Sequence, residues 1–280
     1  MTGAVSPMKN VTLEPGDMAD LVYAKRLLEH PGFAIRLASL VGTPIEKGFQ
    51  MLPRRFSKPI QWSVDLALRA ALRVALTSLH SKRRGAPATP GIHQVAAGVT
   101  GCVGGAFGLV ALPVELPLST TVILRSIADI ARSEGHDLRI AETRLSCMEV
   151  FALGGRSVSD DAGENAYWAM RTVMAGAVSE AAVFVARYGM SHESAPALLR
   201  FVSLIAARFG VLVTEQIMAK ALPVIGAVTG SAINLLFITH FQSMARGHFI
   251  VRRLERRYTP ALVRTVYDQI DSSSGSEREH

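Results

Sequence analysis

Five polar residues lie within or beside apolar runs of this sequence and are its strongest candidates for chemistry: Glu115, Arg125, Asp129, Lys220 and Asn234. A carboxylate between Pro113 and Pro117 has no helical neighbour to neutralise it, and a buried charge needs a partner or shifts its pKa. The tetrapeptide Ala-Leu-Pro-Val occurs just before Glu115 and again just after Lys220. The repeat makes Lys220 a candidate partner for Glu115, and whether the two side chains meet stays open. Arg125 and Asp129 have the spacing of a local helical pair.

Three interpretations of these residues stay open. The first is a structural ion-pair network that fixes helix packing. The second is a polar cluster that lines a cavity for lipid or another small ligand. The third is general acid or base chemistry by Glu115, because perturbed carboxylates cluster at active sites.

Motifs for other chemistry are missing from the sequence. It has no phosphate loop that ends in Lys-Ser or Lys-Thr, no GxGxxG after a strand, no HExxH, no paired CxxC and no GxSxG. His240 and His248 share a helical face, but eight residues span about 12 Å, too far for one metal ion. We therefore predict no metal and no cofactor, and the sequence leans against an enzyme. Cys102 and Cys147 lie in apolar patterns, which indicates thiols in a reducing compartment.

The element pattern predicts an all-α fold, a multi-helix bundle of eight to ten helices, because alternation typical of strands is nearly absent. The chain has 280 residues, of which 49% are hydrophobic and 19% charged. One helical domain is expected over residues 18–270, with disordered tails at 1–17 and 271–280. Asp17 is expected to cap the first helix.

Two uncharged segments, 95–114 and 221–240, are rich in small residues. Each is about as long as the roughly 20 residues that span a bilayer, and small residues at three- and four-residue spacing let helix backbones approach closely. The two alternatives are a tightly packed core and a membrane-inserted hairpin. The predicted helix-packing positions are Gly101, Gly105, Gly108, Pro113, Pro223, Gly226 and Gly230.

The formal charge of +7 favours an anionic partner. Aromatic residues make up only 6% of the chain, which weighs against single-stranded nucleic acid. The basic residues are either a solvated surface or a docking surface for anionic lipid headgroups. They are Arg54, Arg55, Lys58, Arg83, Arg84, Arg252 and Arg253. The N-terminus lacks the pattern of a signal peptide, so a cytoplasmic location is expected.

Three motifs give the sequence a family resemblance: the glycine-rich run into Glu115-Leu116-Pro117, the stretch "LRSIADIARSEGHDL", and "KALPVIGAVTGSAIN". Their order and spacing resemble the EcsC protein family, over roughly residues 40–257. Glu115 stands where aspartate is expected in that family, and Ser133-Glu134 stands before Gly135 where the pattern xYG is commoner. The resemblance implies a bacterial protein, in a family named after a protein encoded beside an ABC transporter, with no agreed catalytic residues.

Together these observations predict a non-enzymatic, membrane-associated helical protein that binds lipid or an integral-membrane partner related to transport or secretion. The alternative is a hydrolase that acts on a lipid or peptide, with Glu115 as acid or base in an apolar cavity. The sequence indicates no oligomeric state.

Overall fold

The computed structural model describes residues 13–29, 33–41, 57–79, 112–154, 166–189, 195–221 and 227–270. Within these ranges the chain forms nine helices and no strand, which confirms the all-α prediction. The helices are α1 Pro15–Glu29, α2 Phe33–Val41, α3 Ser57–Ser78, α4 Leu112–Ser133, α5 Ala141–Leu153, α6 Ala166–Tyr188, α7 Pro196–Ala221, α8 Ala227–Arg257 and α9 Pro260–Gln269.

Local sequence signals set several helix boundaries. Gly135 has a φ of 78°, a left-handed conformation that glycine adopts without steric cost, and it follows the end of α4. Thr259 caps α9 by accepting a hydrogen bond from the backbone N–H of Leu262, and Pro260 opens that helix. α1 begins at Pro15, inside the residues expected to be a tail. Asp17 lies in its first turn, where Tyr258 donates to it and Arg257 pairs with it.

The helix α8 is the central element of the fold. Its 31 residues give a length of about 46 Å, and it packs against α1, α2, α4, α5, α7 and α9. Aromatic rings fill the centre of the core. The ring centroid of Phe241 lies 5.2 Å from that of Phe151 of α5 and 5.1 Å from that of Phe237. Phe33 of α2 meets Phe237 edge to face at 5.4 Å. Most other helices therefore take their positions from α8.

The two halves of α8 have different surroundings. Around its C-terminal half, arginines pair with acidic residues of other helices: Arg253 with Asp20 of α1, and Arg246 with Glu134 beyond α4. Around its N-terminal half lie the end of α7, the start of α4, and α2, with one ion pair between Lys220 and Glu115. The arginine ion pairs are therefore concentrated at the C-terminal half of α8.

Gly247 sets the distance between α1 and α8. A Cβ at this position would lie 2.7 Å from Leu28 Cγ and 3.0 Å from the carbonyl oxygen of Ala24. Both distances are shorter than a carbon contact, and the second is to backbone, which cannot rotate away. Glycine is therefore required for the close approach of these helices.

Replacing Gly247 with alanine tests this packing. We expect Gly247→Ala to lower the free energy of unfolding by about 1–3 kcal/mol through overpacking, in spite of alanine's better helix propensity. Gly176→Ala is the matched control, because a Cβ there meets nothing within 4 Å. Urea denaturation of both variants checks this, and equal or higher stability for Gly247→Ala would contradict the packing.

Candidate functional site

The candidate pairing of Glu115 and Lys220 is present in the structure. Lys220 Nζ, at the end of α7, lies 2.9 Å from Glu115 Oε1 in the first turn of α4. The two side chains are 20% and 12% exposed, so the pair is largely shielded from water. Asn234 Nδ2 of α8 lies 3.5 Å from the same oxygen. Three helices therefore converge on one carboxylate.

A fourth residue completes the site, and the sequence had not indicated it. Gln216 lies one turn before Lys220 on α7 and is buried, and its Nε2 donates to Asn234 Oδ1 at 2.7 Å. This contact leaves the Asn234 amide nitrogen pointing toward Glu115. The i, i+4 spacing of Gln216 and Lys220 places both on the face of α7 that meets α8 and α4.

The other two members of the predicted polar set do not join this site. Asp129 pairs with Arg132 at 3.1 Å on its own helix α4, and both side chains are mostly buried. Arg125 is exposed on α4. Asp129 therefore belongs to a local pair three residues apart, a spacing that a helix supports as well as four.

The contacts of Glu115 are those of a carboxylate that accepts hydrogen bonds from a cation and an amide. This arrangement ties the start of α4 to the junction between α7 and α8. Among the three interpretations, the geometry agrees best with an ion pair that fixes helix packing. The roles of these residues in binding or catalysis stay predictions.

Five of the predicted helix-packing positions lie outside the described residues. They are Gly101, Gly105, Gly108, Pro223 and Gly226. Pro113 lies in the first turn of α4, where its missing N–H leaves no helical hydrogen bond unmade. Gly230 lies in the first turns of α8.

Arg252 and Arg253, two of the basic residues expected to be either a solvated or a lipid-docking surface, form ion pairs within the protein. Arg252 pairs with Glu142 at 2.9 Å and donates to Ser146 Oγ. Arg253 pairs with Asp20 and, at 3.0 Å, with Glu134. The ion pairs of Arg252 and Arg253 therefore link α8 to α5 and α1. Lys58 is exposed at the start of α3, while Arg54, Arg55, Arg83 and Arg84 lie outside the described residues.

A buried polar cluster between α5, α6 and α8 was missed by the sequence reasoning. Glu149 is 2% exposed, and its Oε2 lies 3.8 Å from His248 Nε2 and 3.9 Å from Arg252 Nη1. The other nitrogen of His248 is 3.2 Å from the Tyr167 hydroxyl. A lone acid in the apolar run "CMEVFAL" was the available signal. It is the same signal that drew attention to Glu115.

Burial governs the titration of this core. Loss of solvation raises the pKa of Glu149 to about 7, although the nearby Arg252 charge acts in the opposite direction. Burial lowers the pKa of His136 to about 3 and of His240 to about 4, and takes that of His248 well below its ordinary value. Burial also raises the pKa of the Cys147 thiol to about 12. These histidines and this thiol are therefore neutral at pH 7.

Two helices within the described residues are long and apolar enough to cross a membrane by length and composition, α6 over Ala166–Tyr188 and α7 over Pro196–Lys220. Only 33% and 44% of their most apolar windows are buried inside the protein. They differ from the predicted segments: 95–114 lies almost wholly outside the described residues, and 221–240 lies largely in α8, whose Asn234 and His240 are buried in the core. Within the described residues, the length and composition of a membrane span belong to α6 and α7, and the prediction for 95–114 stays untested.

A double-mutant cycle tests the pair at the start of α4. We expect Glu115→Gln and Lys220→Gln to be coupled by about 1–2 kcal/mol in the free energy of unfolding, because each single change leaves a shielded charge without its partner. The matched control is the pair Glu180 and Arg200, whose side chains are 46% and 63% exposed. Its coupling is expected below about 1 kcal/mol. Equal coupling in the two cycles would count against the shielded ion pair.

Glu149→Gln tests the buried cluster through pH. Because the pKa of Glu149 is raised in the folded protein, its stabilising contribution is complete below about 4.5 and is lost as the pH rises through about 7. The Glu149→Gln variant does not lose this contribution. Its free energy of unfolding, relative to that of the parent, should therefore rise by up to about 3 kcal/mol as the pH increases from 4.5 to about 7. A flat difference for Glu149→Gln would refute the assignment.

Comparison with known proteins identifies the family of this chain. No curated protein and no solved structure matches the chain. The model of the EcsC protein family matches residues 24–254, a range that runs from the middle of α1 to the last turn of α8 and includes Glu115, Lys220 and Asn234. Since the match covers most of the chain, the protein belongs to the EcsC protein family.

Proposed function

We propose that this protein is a non-enzymatic, membrane-associated protein that docks through α6 and α7 onto a transmembrane helix of an integral-membrane partner, one related to transport or secretion. The observation that carries the proposal is the position of two glycines in the middle of these helices. A Cβ at Gly176 of α6 or at Gly210 of α7 would meet nothing within 4 Å.

These glycines are costly in the isolated chain. Glycine in a helix interior is about 1 kcal/mol less favourable than alanine, and neither position has the positive φ that would require it. Gly154 and Gly247 differ, because a Cβ there would lie 2.7 Å from His240 or Leu28. Close approach by a second helix backbone from outside would explain open glycines at positions 176 and 210.

The outward face of α6 has the composition that such contact needs. From position 172 to 179 the helix carries no charge, and its exposed residues are small or β-branched. They are Ala169, Thr172, Val173, Ala175, Gly176, Ser179, Val183 and Ala186. Glu180, on the same face, pairs with Arg200 of α7 at 2.9 Å.

The size of these side chains distinguishes a protein partner from lipid. Helices that lie in the lipid interface bury Trp, Phe and Leu, whereas helix pairs within membranes favour Gly, Ala, Ser and Thr. The α6 face belongs to the second kind. At its C-terminal end, the exposed Arg187 and Tyr188 are residue types found at the membrane–water boundary.

The alternative of a hydrolase with Glu115 as acid or base has less support. Glu115 contacts Lys220 and Asn234, both donors, in a junction of three helices. An acid or base acting on a substrate needs hydrogen-bonding reach to that substrate. Here the contacts of the carboxylate are within the protein.

Membrane fractionation of the full chain in its native host tests the proposal. We expect the protein to pellet with membranes, to resist a high-salt wash because the contact is apolar, and to be released by alkaline carbonate because it does not span the bilayer. A wholly soluble protein would overturn membrane association. Retention through carbonate would replace docking with insertion.

The variant Gly176→Leu tests the contact itself. It should shift the protein to the soluble fraction while circular dichroism and stability stay near those of the parent, since the position is open in the isolated chain. Gly16→Leu is the matched control, an equally open helical glycine on α1, and should stay with the membranes. Unchanged pelleting of Gly176→Leu would rule out docking through this face.

A further inference from the structure

An open groove lies between α2 and α8. Its volume is about 700 Å³, within the roughly 300–1,000 Å³ typical of small-molecule sites. The α8 side covers positions 232 to 239, about 10 Å of helix. Its walls include Ile35, Arg36 and Ser39 of α2 and Leu235, Leu236 and Thr239 of α8.

The walls of the groove present apolar surface to water. Ile35 is 49% exposed and Leu235 is 43% exposed, which is unusual for large aliphatic side chains facing each other across a cleft. The two hydroxyls are satisfied locally: Ser39 donates to the carbonyl of Ile35, and Thr239 to that of Leu235. The groove therefore favours a hydrocarbon chain.

Arg36 adds one positive charge to this apolar surface. It is half-buried, and within the part of the chain that the structure describes it makes no ion pair or hydrogen bond. Behind it lies His240, whose imidazole is held by the carbonyl of Gly154 at 3.0 Å. His240 is neutral at pH 7, because burial and, to a smaller degree, the charge of Arg36 lower its pKa to about 4. One cation, Arg36, thus faces the groove from its walls.

We propose that this groove binds a medium-chain fatty acid. The chain lies between Ile35 and Leu235, and the carboxylate pairs with Arg36. A guanidinium binds a carboxylate through two parallel hydrogen bonds. A single cation matches a single negative charge, and a groove between two helices accommodates one chain, which favours a free fatty acid over a two-chain phospholipid. The site goes beyond the proposed docking function and does not depend on it.

Titration of the purified full chain with dodecanoate, below the concentration at which it forms micelles, tests the site. Dodecanol is the matched ligand with the same chain and no charge. We expect dodecanoate to bind at least roughly tenfold more tightly than dodecanol, the range of hydrogen bonds to charged groups. Arg36→Gln should remove that preference and leave dodecanol binding unchanged. Arg26→Gln, an exposed arginine of α1, should retain it.

A second variant tests where the chain lies. Leu235→Glu should abolish binding of both ligands, and its circular dichroism should match the parent because the side chain is exposed. Equal affinity for the two ligands, an unchanged preference in Arg36→Gln, or no binding by the parent would each overturn the site. Membrane fractionation of Arg36→Gln separates this proposal from the previous one, since docking through α6 should persist when fatty-acid binding is lost.

Discussion

The rest of the structure depends on the need of α8 to satisfy its buried polar side chains. A buried polar group without a partner costs about 1–3 kcal/mol, and α8 carries one at nearly every second turn. Asn234 meets Gln216 of α7, His240 meets the carbonyl of Gly154 after α5, and Gln242 donates to Ser126 of α4 at 2.7 Å. His248 meets Tyr167 of α6. Each contact fixes the position of a different helix along α8, which aliphatic packing alone does more weakly.

The Glu115 site is the end of this series of contacts. Asn234 accepts from α7 with its oxygen and points its nitrogen toward α4, so one amide side chain links the two helices. The charge of Lys220 then offsets the cost of shielding the Glu115 carboxylate. At the opposite end of α8, arginines form ion pairs with acidic side chains of α1 and α5. The charged residues of the chain therefore act largely as connections between helices.

The sequence predicted part of this arrangement. A repeated tetrapeptide was enough to make Lys220 a candidate partner for Glu115, because an isolated charge in an apolar segment has few ways to be neutralised. Only the structure shows that the two side chains meet. The same logic applies to Glu149, but no repeated motif in the sequence marks a partner for it. Arg252 and Arg253 could not be assigned from sequence. A cluster of arginines looks the same whether its acidic partners, here on α1 and α5, are far away or adjacent in the fold.

Glycine positions show the same limit of prediction from sequence. Gly176 and Gly247 both interrupt long helices, and composition does not separate them. In the folded chain, α1 occupies the space beside Gly247, whereas the space beside Gly176 is open. Packing within the protein explains the glycine at position 247. No contact in the described structure offsets the helix-propensity cost of the glycine at position 176. Because marginal stability makes even 1 kcal/mol a substantial loss, an open glycine within a helical face of small residues is better evidence for an external contact than hydropathy, which buried core helices share.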